Sequence, residues 1–386
     1  MKIGIITRSN ASTWGGDLKA LHAISDGLQK LGHDVFFYTH LDEHLSSCDF
    51  AFITNTCLDQ RENHQWLMDK GLPYGAICFH EDFDKYLGYC TGFFNYVKNS
   101  LRFPANEIVN ECMERLYQNP EIVKWYTLAR WNTQINYAAL RDASFCIANS
   151  YQEAETVRRD CPEAKVNVVY WTAGMADEWD DSLSNDFVEL IKTSNYLLQV
   201  GRLEPRKNQL GTLLACQDIE HPLVFIATKG HHEEYEQAFI ECASRMRTGP
   251  TLLVTDKRKS DQIGTLQIIQ MPNEEKLSTN CLKSAYQHAK VHVHPAFYEL
   301  PGYTYLESLR YGIPTLASRW ASIPEYLGEA NLGGLISYAT PHDLNDIQNK
   351  VESLLDVAKV DLDLPIYRRT SMDVAREIEE LILLRV

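Results

Sequence analysis

The chain opens on a short apolar run over residues 2–7 and crosses a polar loop from Ser9 to Gly16. It then repeats Leu18, Leu21, Ile24, Leu28 and Leu31 at helical spacing up to Gly32. This pattern predicts a strand, a glycine-containing loop and a helix, in that order. Four further apolar runs, Asp34 to Tyr38, Phe50 to Ile53, Tyr74 to Phe79 and Ser144 to Ala148, read as short buried strands with helical stretches between them. Such alternation predicts a parallel sheet with helices on both faces.

Between Gly88 and Ala143 the pattern changes to aromatic-rich helix, with Phe93, Phe94, Tyr96, Tyr117, Trp125, Tyr126, Trp131 and Tyr137 interleaved with Lys98, Arg102, Arg115, Lys124 and Arg130. It reads as an insertion between two strands, serving either aromatic packing between long helices or a platform for a sugar chain or lipid-linked acceptor. The polar, non-periodic stretch Asp177 to Asp186 is the best candidate for a hinge. Strand and helix then alternate again, with strands at Tyr196 to Val200, Leu223 to Ala227, Leu252 to Val254, Leu266 to Ile269, Val291 to His294 and Thr315 to Ala317. The expected organisation is a first domain over residues 1–175, a linker over 176–190, a second domain over 191–368 and a terminal helix over 369–386. Val374, Ile378, Leu381 and Ile382 share one face of that helix. Two similar α/β halves imply a cleft between them.

Composition narrows the picture. A chain of 386 residues exceeds what one hydrophobic core usually organises, and 45% hydrophobic with 23% charged residues is ordinary for a soluble globular protein. A formal net charge of -15 argues against a nucleic-acid surface and against general attraction to anionic lipid, leaving at most peripheral membrane association. The ten cysteines are scattered without a Cys-x-x-Cys pair, and Cys78 and Cys146 sit inside apolar strands, so they read as reduced core residues. The first apolar run is too short for a signal-peptide core and no stretch approaches a spanning helix, which gives a cytoplasmic expectation.

Against that acidic background, clustered cations gain interest. In Val200-Gly-Arg-Leu-Glu-Pro-Arg-Lys-Asn-Gln, Arg202 and Lys207 follow the end of a strand, which is where open α/β sheets bind ligands. Two cations there suit a diphosphate, Arg202 through its planar fork and Lys207 as a compact charge; a solvated basic turn that includes Arg206 is the plainer reading. A second cluster, Glu299 and Glu307, lies where a strand ends and a helix begins. Helix N-termini suit phosphate, and carboxylates suit the vicinal hydroxyls of a sugar or ribose. Thr304 to Glu307 also has the spacing of a capping box, which would occupy the Glu307 carboxylate structurally.

Gly15 and Gly16 follow the first strand without the three-glycine dinucleotide fingerprint, which argues against a nicotinamide cofactor; they can instead let backbone approach a ligand across the cleft. His80 closes a strand and is either a structural donor or a group for a sugar hydroxyl from the opposite wall. His292 and His294 alternate with apolar residues and lack a third ligand, so no metal site is expected and both read as packing residues.

Taken together these residues resemble the family 4 glycosyltransferases of the GT-B fold, over most of the chain. The resemblance rests on Gly201-Arg202 with Lys207 five residues after the arginine, and on Glu299 and Glu307 with seven residues between them. Pro295-x-x-x-Glu299, Leu306-Glu307, Gly312-Ile-Pro314-Thr-Leu-Ala-Ser318, Gly15-Gly16, His80 and Ile147-Ala-Asn-Ser150 also look like the family. Leu300-Pro301 departs from the family's frequent Gly-Phe before the retained Gly302, and Thr304 stands where proline is frequent.

The resemblance implies two Rossmann-like domains facing each other across a cleft. It also implies hexosyl transfer from a nucleoside-diphosphate sugar with retained anomeric configuration and neither metal nor cofactor. Arg202 and Lys207 would stabilise the departing diphosphate, Glu299 would grip donor-sugar hydroxyls and Glu307 the ribose diol. Gly302, Tyr303 and Thr304 would assist through their amides, and the C-terminal helix would cross back to the first domain. A glycan, a lipid-linked molecule or a small molecule would be the acceptor. The competing readings are a sugar-nucleotide epimerase or phosphorylase on the same fold and a GT-B module that binds a sugar nucleotide without turnover.

Overall fold

The computed structural model describes residues 1–8, 16–83, 120–172, 182–228, 230, 233–247, 249–256, 258–272, 277–300, 302–328 and 332–385. Gly15, Pro301, the aromatic stretch from Phe93 to Tyr117 and the first part of the expected linker lie outside these residues. Runs of Ile, Val, Leu and Phe that are apolar on both faces suit strands covered on both sides, and the described chain sorts them into two sheets. The first has the order β2-β1-β3-β4-β5-β6, all parallel, from β1 (Lys2–Ile6), β2 (Asp34–Tyr38), β3 (Phe50–Thr54), β4 (Tyr74–Ile77), β5 (Cys146–Ala148) and β6 (Val166–Val168).

The second sheet comprises β7 (Tyr196–Val200), β8 (Leu223–Ile226), β9 (Thr251–Thr255), β10 (Asp261–Ile263), β11 (Leu266–Gln270), β12 (Ala289–His294), β13 (Thr315–Ser318) and β14 (Ile336–Ala339). Its order is β10-β11-β9-β8-β7-β12-β13-β14, with β10 antiparallel to β11 and the remaining pairs parallel. Strands β6, β10 and β14 were not expected from the apolar pattern. They are three or four residues long, none is uniformly buried, and β10 is a polar edge strand, so each offers little hydrophobic signal.

Each sheet is covered on both faces. Ile3, Ile5, Phe50, Phe52 and Ile147 form part of one core in the first domain, and Leu197, Leu223, Phe225, Leu253, Val291 and Val293 part of another in the second. Each such side chain contributes roughly 1.5–3 kcal/mol by leaving water. The polar stretch expected to be a linker turns helical at Asp186–Ile191, and Phe187 is buried against Tyr196 in the second domain, ring centroids 6.0 Å apart.

Contacts on both sides tie the halves together. The terminal helix Ser371–Leu383 starts in a capping box between Thr370 and Asp373, and its Val374, Ala375, Ile378 and Ile382 pack with Leu18, Leu21, Ile24 and Leu28 of the first helix, Gly16–Lys30. Gly27 permits that approach, because a Cβ there would run into the Ser371 carbonyl. On the other side, the Glu325 carboxylate accepts hydrogen bonds from the backbone N–H groups of Tyr151 (2.6 Å) and Gln152 (2.9 Å), at the start of helix Tyr151–Asp160. The neighbouring Tyr326 hydroxyl donates to the Asn149 carbonyl at 2.7 Å. A carboxylate from one domain thus satisfies orphan amides and faces the positive dipole end of a helix in the other. Among the described residues no helix is long and apolar enough to cross a membrane.

Candidate active site

Strand β7 leads through helix Gln209–Ala215 to β8 on one side of the sheet, and β12 leads through helix Tyr303–Arg310 to β13 on the other. The chain therefore reverses direction across the sheet between β7 and β12, and in open α/β sheets a crevice forms outside the strand ends at such a point. The two loops flanking it are stitched together. The Phe297 N–H donates to the Arg206 carbonyl at 2.8 Å, and the Asn208 amide donates to the carbonyls of Pro295 (2.8 Å) and Pro341 (2.7 Å). Asn208 adopts φ 58°, a left-handed conformation that asparagine tolerates better than most side chains.

This stitching brings Lys207 and Glu299, 92 positions apart, into a direct ion pair through Glu299 Oε1. The same oxygen lies 3.1 Å from His294 Nε2 and 4.0 Å from Arg206. Burial works against ionising Glu299, but Lys207, His294 and Arg206 outweigh it and hold the carboxyl well below its usual range. Burial lowers Lys207 from the ordinary lysine value, with Glu299 opposing that shift. Among the described residues the named partners all fall on Oε1. Oε2 is thereby left as the oxygen with capacity for a ligand hydroxyl.

Arg202 joins through a shared anion. The Glu204 carboxylate is 3.5 Å from Arg202 and 2.9 Å from Arg206, so three cations and two carboxylates alternate around the end of β7 and the loop after β12. Lys207 retains 13% and Arg202 22% of its side-chain exposure, enough to meet a ligand in the crevice.

Glu307 occupies the helix that leaves β12. The helix begins at Tyr303 with Gly302 as its N-cap, in a left-handed conformation at φ 84° that favours glycine, and no side chain caps it. The expected capping box between Thr304 and Glu307 is therefore absent: Thr304 lies inside the first turn, two residues past the cap position held by Gly302. The Glu307 carboxylate instead accepts from the Tyr286 hydroxyl at 2.9 Å and meets Lys19 of the first domain at 3.4 Å. Lys19 also stands 5.7 Å from the centroid of the Tyr303 ring, against which Gly16 packs. Gly16, Tyr303 and Glu307 thus share one interdomain contact, with the first-turn amides of Tyr303 and Thr304 beside it.

The His80 ring is turned into the first domain. It is fully buried, with Nδ1 2.7 Å from the Thr56 hydroxyl and Nε2 3.0 Å from Asp160. Its backbone is shared between the domains: the His80 carbonyl accepts from the Tyr298 hydroxyl of the second at 3.1 Å, and its N–H donates to the buried Glu153 of the first at 2.6 Å. Burial works against ionising Asp160, yet His80 and Arg159 hold its carboxyl below the usual range. His80 therefore meets the second domain through its carbonyl, and its imidazole is committed to Thr56 and Asp160.

His294 departs from expectation. Its alternation with apolar residues predicts packing, yet its Nε2 sits on Glu299, while His292 keeps the packing role between the rings of Tyr286 and Tyr305. Its place at the carboxyl end of a central strand was the available signal, but alternation alone gives both histidines the same face. Lys19, Tyr286 and Tyr298 also went unread, because each acts through a contact between residues distant in the chain.

Residues 182–364 match the family model described as glycosyl transferases group 1. Over 169 residues the chain is 28% identical to the O-antigen chain mannosyltransferase B of Escherichia coli, a match spanning 42% of this chain and 37% of that relative's length. A sucrose-phosphate synthase from Thermosynechococcus elongatus superposes with a TM-score of 0.58 at 13% identity, covering 100% of this chain and 95% of its own. The Anabaena protein HepE, solved in complex with UDP and glucose, superposes with a TM-score of 0.54 at 14% identity, covering 99% of both chains. Residues 182–364 are thus similar to the glycosyl transferases group 1, and the chain as a whole has the GT-B fold of two facing Rossmann-like domains.

Proposed function

We propose that the protein transfers a hexosyl group from a nucleoside-diphosphate sugar to a glycan, a lipid-linked molecule or a small molecule, without a metal and with retention of anomeric configuration. The observation that carries this reading is the gathering of Arg202, Lys207 and Glu299 around the ends of β7 and β12, with Glu307, on the helix that leaves β12, meeting the first domain's Lys19. In the transfer, the bond between the anomeric carbon and the diphosphate oxygen breaks and its electron pair leaves with the diphosphate. The acceptor oxygen bonds to the same face of the sugar, and its proton passes to the departing phosphate oxygen. Arg202 and Lys207 meet the charge that grows on the leaving group. Glu299 Oε2 accepts from donor-sugar hydroxyls, and Glu307 accepts from the ribose diol once the nucleotide displaces Lys19 from it. Tyr303 and Thr304 offer amides to the diphosphate. Closure of the two domains excludes water that would otherwise take the sugar.

The test is a thermal-shift and calorimetric panel of UDP, GDP, UDP-glucose and GDP-mannose, followed by mass analysis of products with candidate acceptors. The expected result is binding of at least one nucleotide with its sugar transferred, and at least tenfold loss of both in Arg202→Met and Lys207→Met. Full affinity and full transfer in either variant would remove that residue from the reaction, and a protein that binds no nucleotide would end the reading.

A further inference from the structure

Beside these carboxylates and cations, β12 ends in a histidine whose bonding is lopsided. His294 is fully buried, its Nε2 lies 3.1 Å from Glu299 Oε1, and its Nδ1 has no hydrogen-bond partner among the described residues. The bond has one consistent assignment. Glu299 already receives the Lys207 ammonium on the same oxygen and is held ionised, so it can only accept, and Nε2 must carry the proton. Burial pushes His294 below the ordinary histidine value even though the bond to Glu299 opposes that shift, so the ring is a neutral donor with its bare nitrogen at Nδ1.

The ring's surroundings hold it still. The His294 and His292 rings stack with centroids 5.9 Å apart and 17° between planes, and the Tyr305 ring meets the His294 ring edge-on at 5.3 Å. The Tyr305 hydroxyl also donates to the His294 carbonyl at 2.6 Å, fixing the backbone at the strand end. A rigid, neutral N–H donor is therefore aimed at one oxygen of a carboxylate whose other contacts come from the longer side chains of Lys207 and Arg206. Those two can follow a diphosphate; the imidazole cannot.

We infer that His294 is a positioning residue for the donor-sugar site: its Nε2–H anchors Glu299 Oε1, so that Oε2 stays presented to the sugar when Lys207 turns toward the diphosphate. This rests on the donor-site reading above and deepens it, since it divides the labour at Glu299 between an anchored oxygen and a binding oxygen. The bond breaks nothing and forms nothing in the reaction; its consequence is the geometry of the sugar contact.

The experiment compares wild type with His294→Leu, which preserves bulk without a donor, and with His294→Gln, whose amide N–H can reach the Nε2 position. The probes are UDP-glucose beside UDP and GDP-mannose beside GDP, with affinity measured by calorimetry, folding by thermal denaturation, and kcat and KM wherever transfer is seen. His294→Leu should keep nucleoside-diphosphate affinity within about twofold, lose most of the extra affinity that the sugar confers, and lose about tenfold or more in kcat/KM, mainly in kcat. His294→Gln should recover most of that loss. A His294→Leu protein that distinguishes sugar nucleotide from free diphosphate as wild type does overturns the proposal. So does a His294→Gln protein as poor as the leucine variant at equal thermal stability. Wild-type protein that binds no nucleotide overturns the donor-site reading as well, whereas wild-type binding with His294→Leu unchanged overturns the role of His294 alone.

Discussion

Lys19 in the first helix of one domain places its ammonium 3.4 Å from the Glu307 carboxylate in the other, across a sequence separation of 288 residues. The Tyr286 hydroxyl holds the second oxygen of that carboxylate at 2.9 Å, and burial raises this phenol well above its ordinary pKa, so it remains a donor. Lys19 keeps 36% of its side-chain exposure, so the bond to it is the weaker of the two and the one a nucleotide can replace.

Glu307→Gln should therefore weaken nucleoside-diphosphate binding about tenfold while changing thermal stability little, since glutamine still offers Tyr286 an acceptor and no helix cap is lost. Calorimetry with UDP and GDP beside thermal denaturation checks this. Unchanged affinity with a large fall in melting temperature would assign Glu307 to structure alone.

The Lys207–Glu299 pair is predicted to be costly to break on one side. Glu299 keeps only 7% of its side-chain exposure, so Lys207→Met strands a buried carboxylate and should cost about 3 kcal/mol or more in denaturant unfolding. The double variant Lys207→Met with Glu299→Gln should recover part of that loss, because neither charge is then left buried. Strict additivity of the two single effects would show that the pair is not coupled.

Gly27 should resist substitution although it lies within a helix. Alanine there gains up to about 1 kcal/mol in helix propensity, but its Cβ would meet the Ser371 backbone, and overpacking of this kind costs roughly 1–3 kcal/mol. A net loss of stability is expected in Gly27→Ala, with faster proteolytic release of the terminal helix. A melting temperature above that of wild type would contradict the close packing of these helices.

Glu153 makes stability fall as pH rises. The fully buried carboxyl is pushed by burial from its ordinary 4.5 up to about 8, against the pull of the N–H groups of Asn149 and His80. Between these two values the folded chain keeps a proton that the unfolded chain has released, so this contribution is complete below about 4.5 and is lost as pH climbs through 8. The decline in melting temperature over that window should be shallower in Glu153→Gln than in wild type. Equal slopes would show that Glu153 does not titrate there.

Local pattern alone was enough for the strand and helix alternation, the two-sheet expectation and the pairing of Arg202, Lys207, Glu299 and Glu307 with strand ends, because apolar periodicity and the residues after each strand are properties of neighbours in the chain. The strands β6, β10 and β14 escaped because, unlike the equally short β5, they are not buried throughout and so lack a continuous apolar run. Spacing pointed to a capping box at Thr304 and Glu307, but that spacing is shared by residues that do not cap; the start of the helix at Tyr303, fixed by the left-handed turn at Gly302, decided the matter. Tertiary structure alone decided that His294 rather than His292 touches Glu299, that the His80 ring faces Thr56 and Asp160, and that Lys19 reaches Glu307. Each of these is a contact between distant segments, set by strand order, loop stitching and the apposition of two domains. A linear sequence names the groups available for such contacts, and only packing determines which of them come within hydrogen-bonding distance.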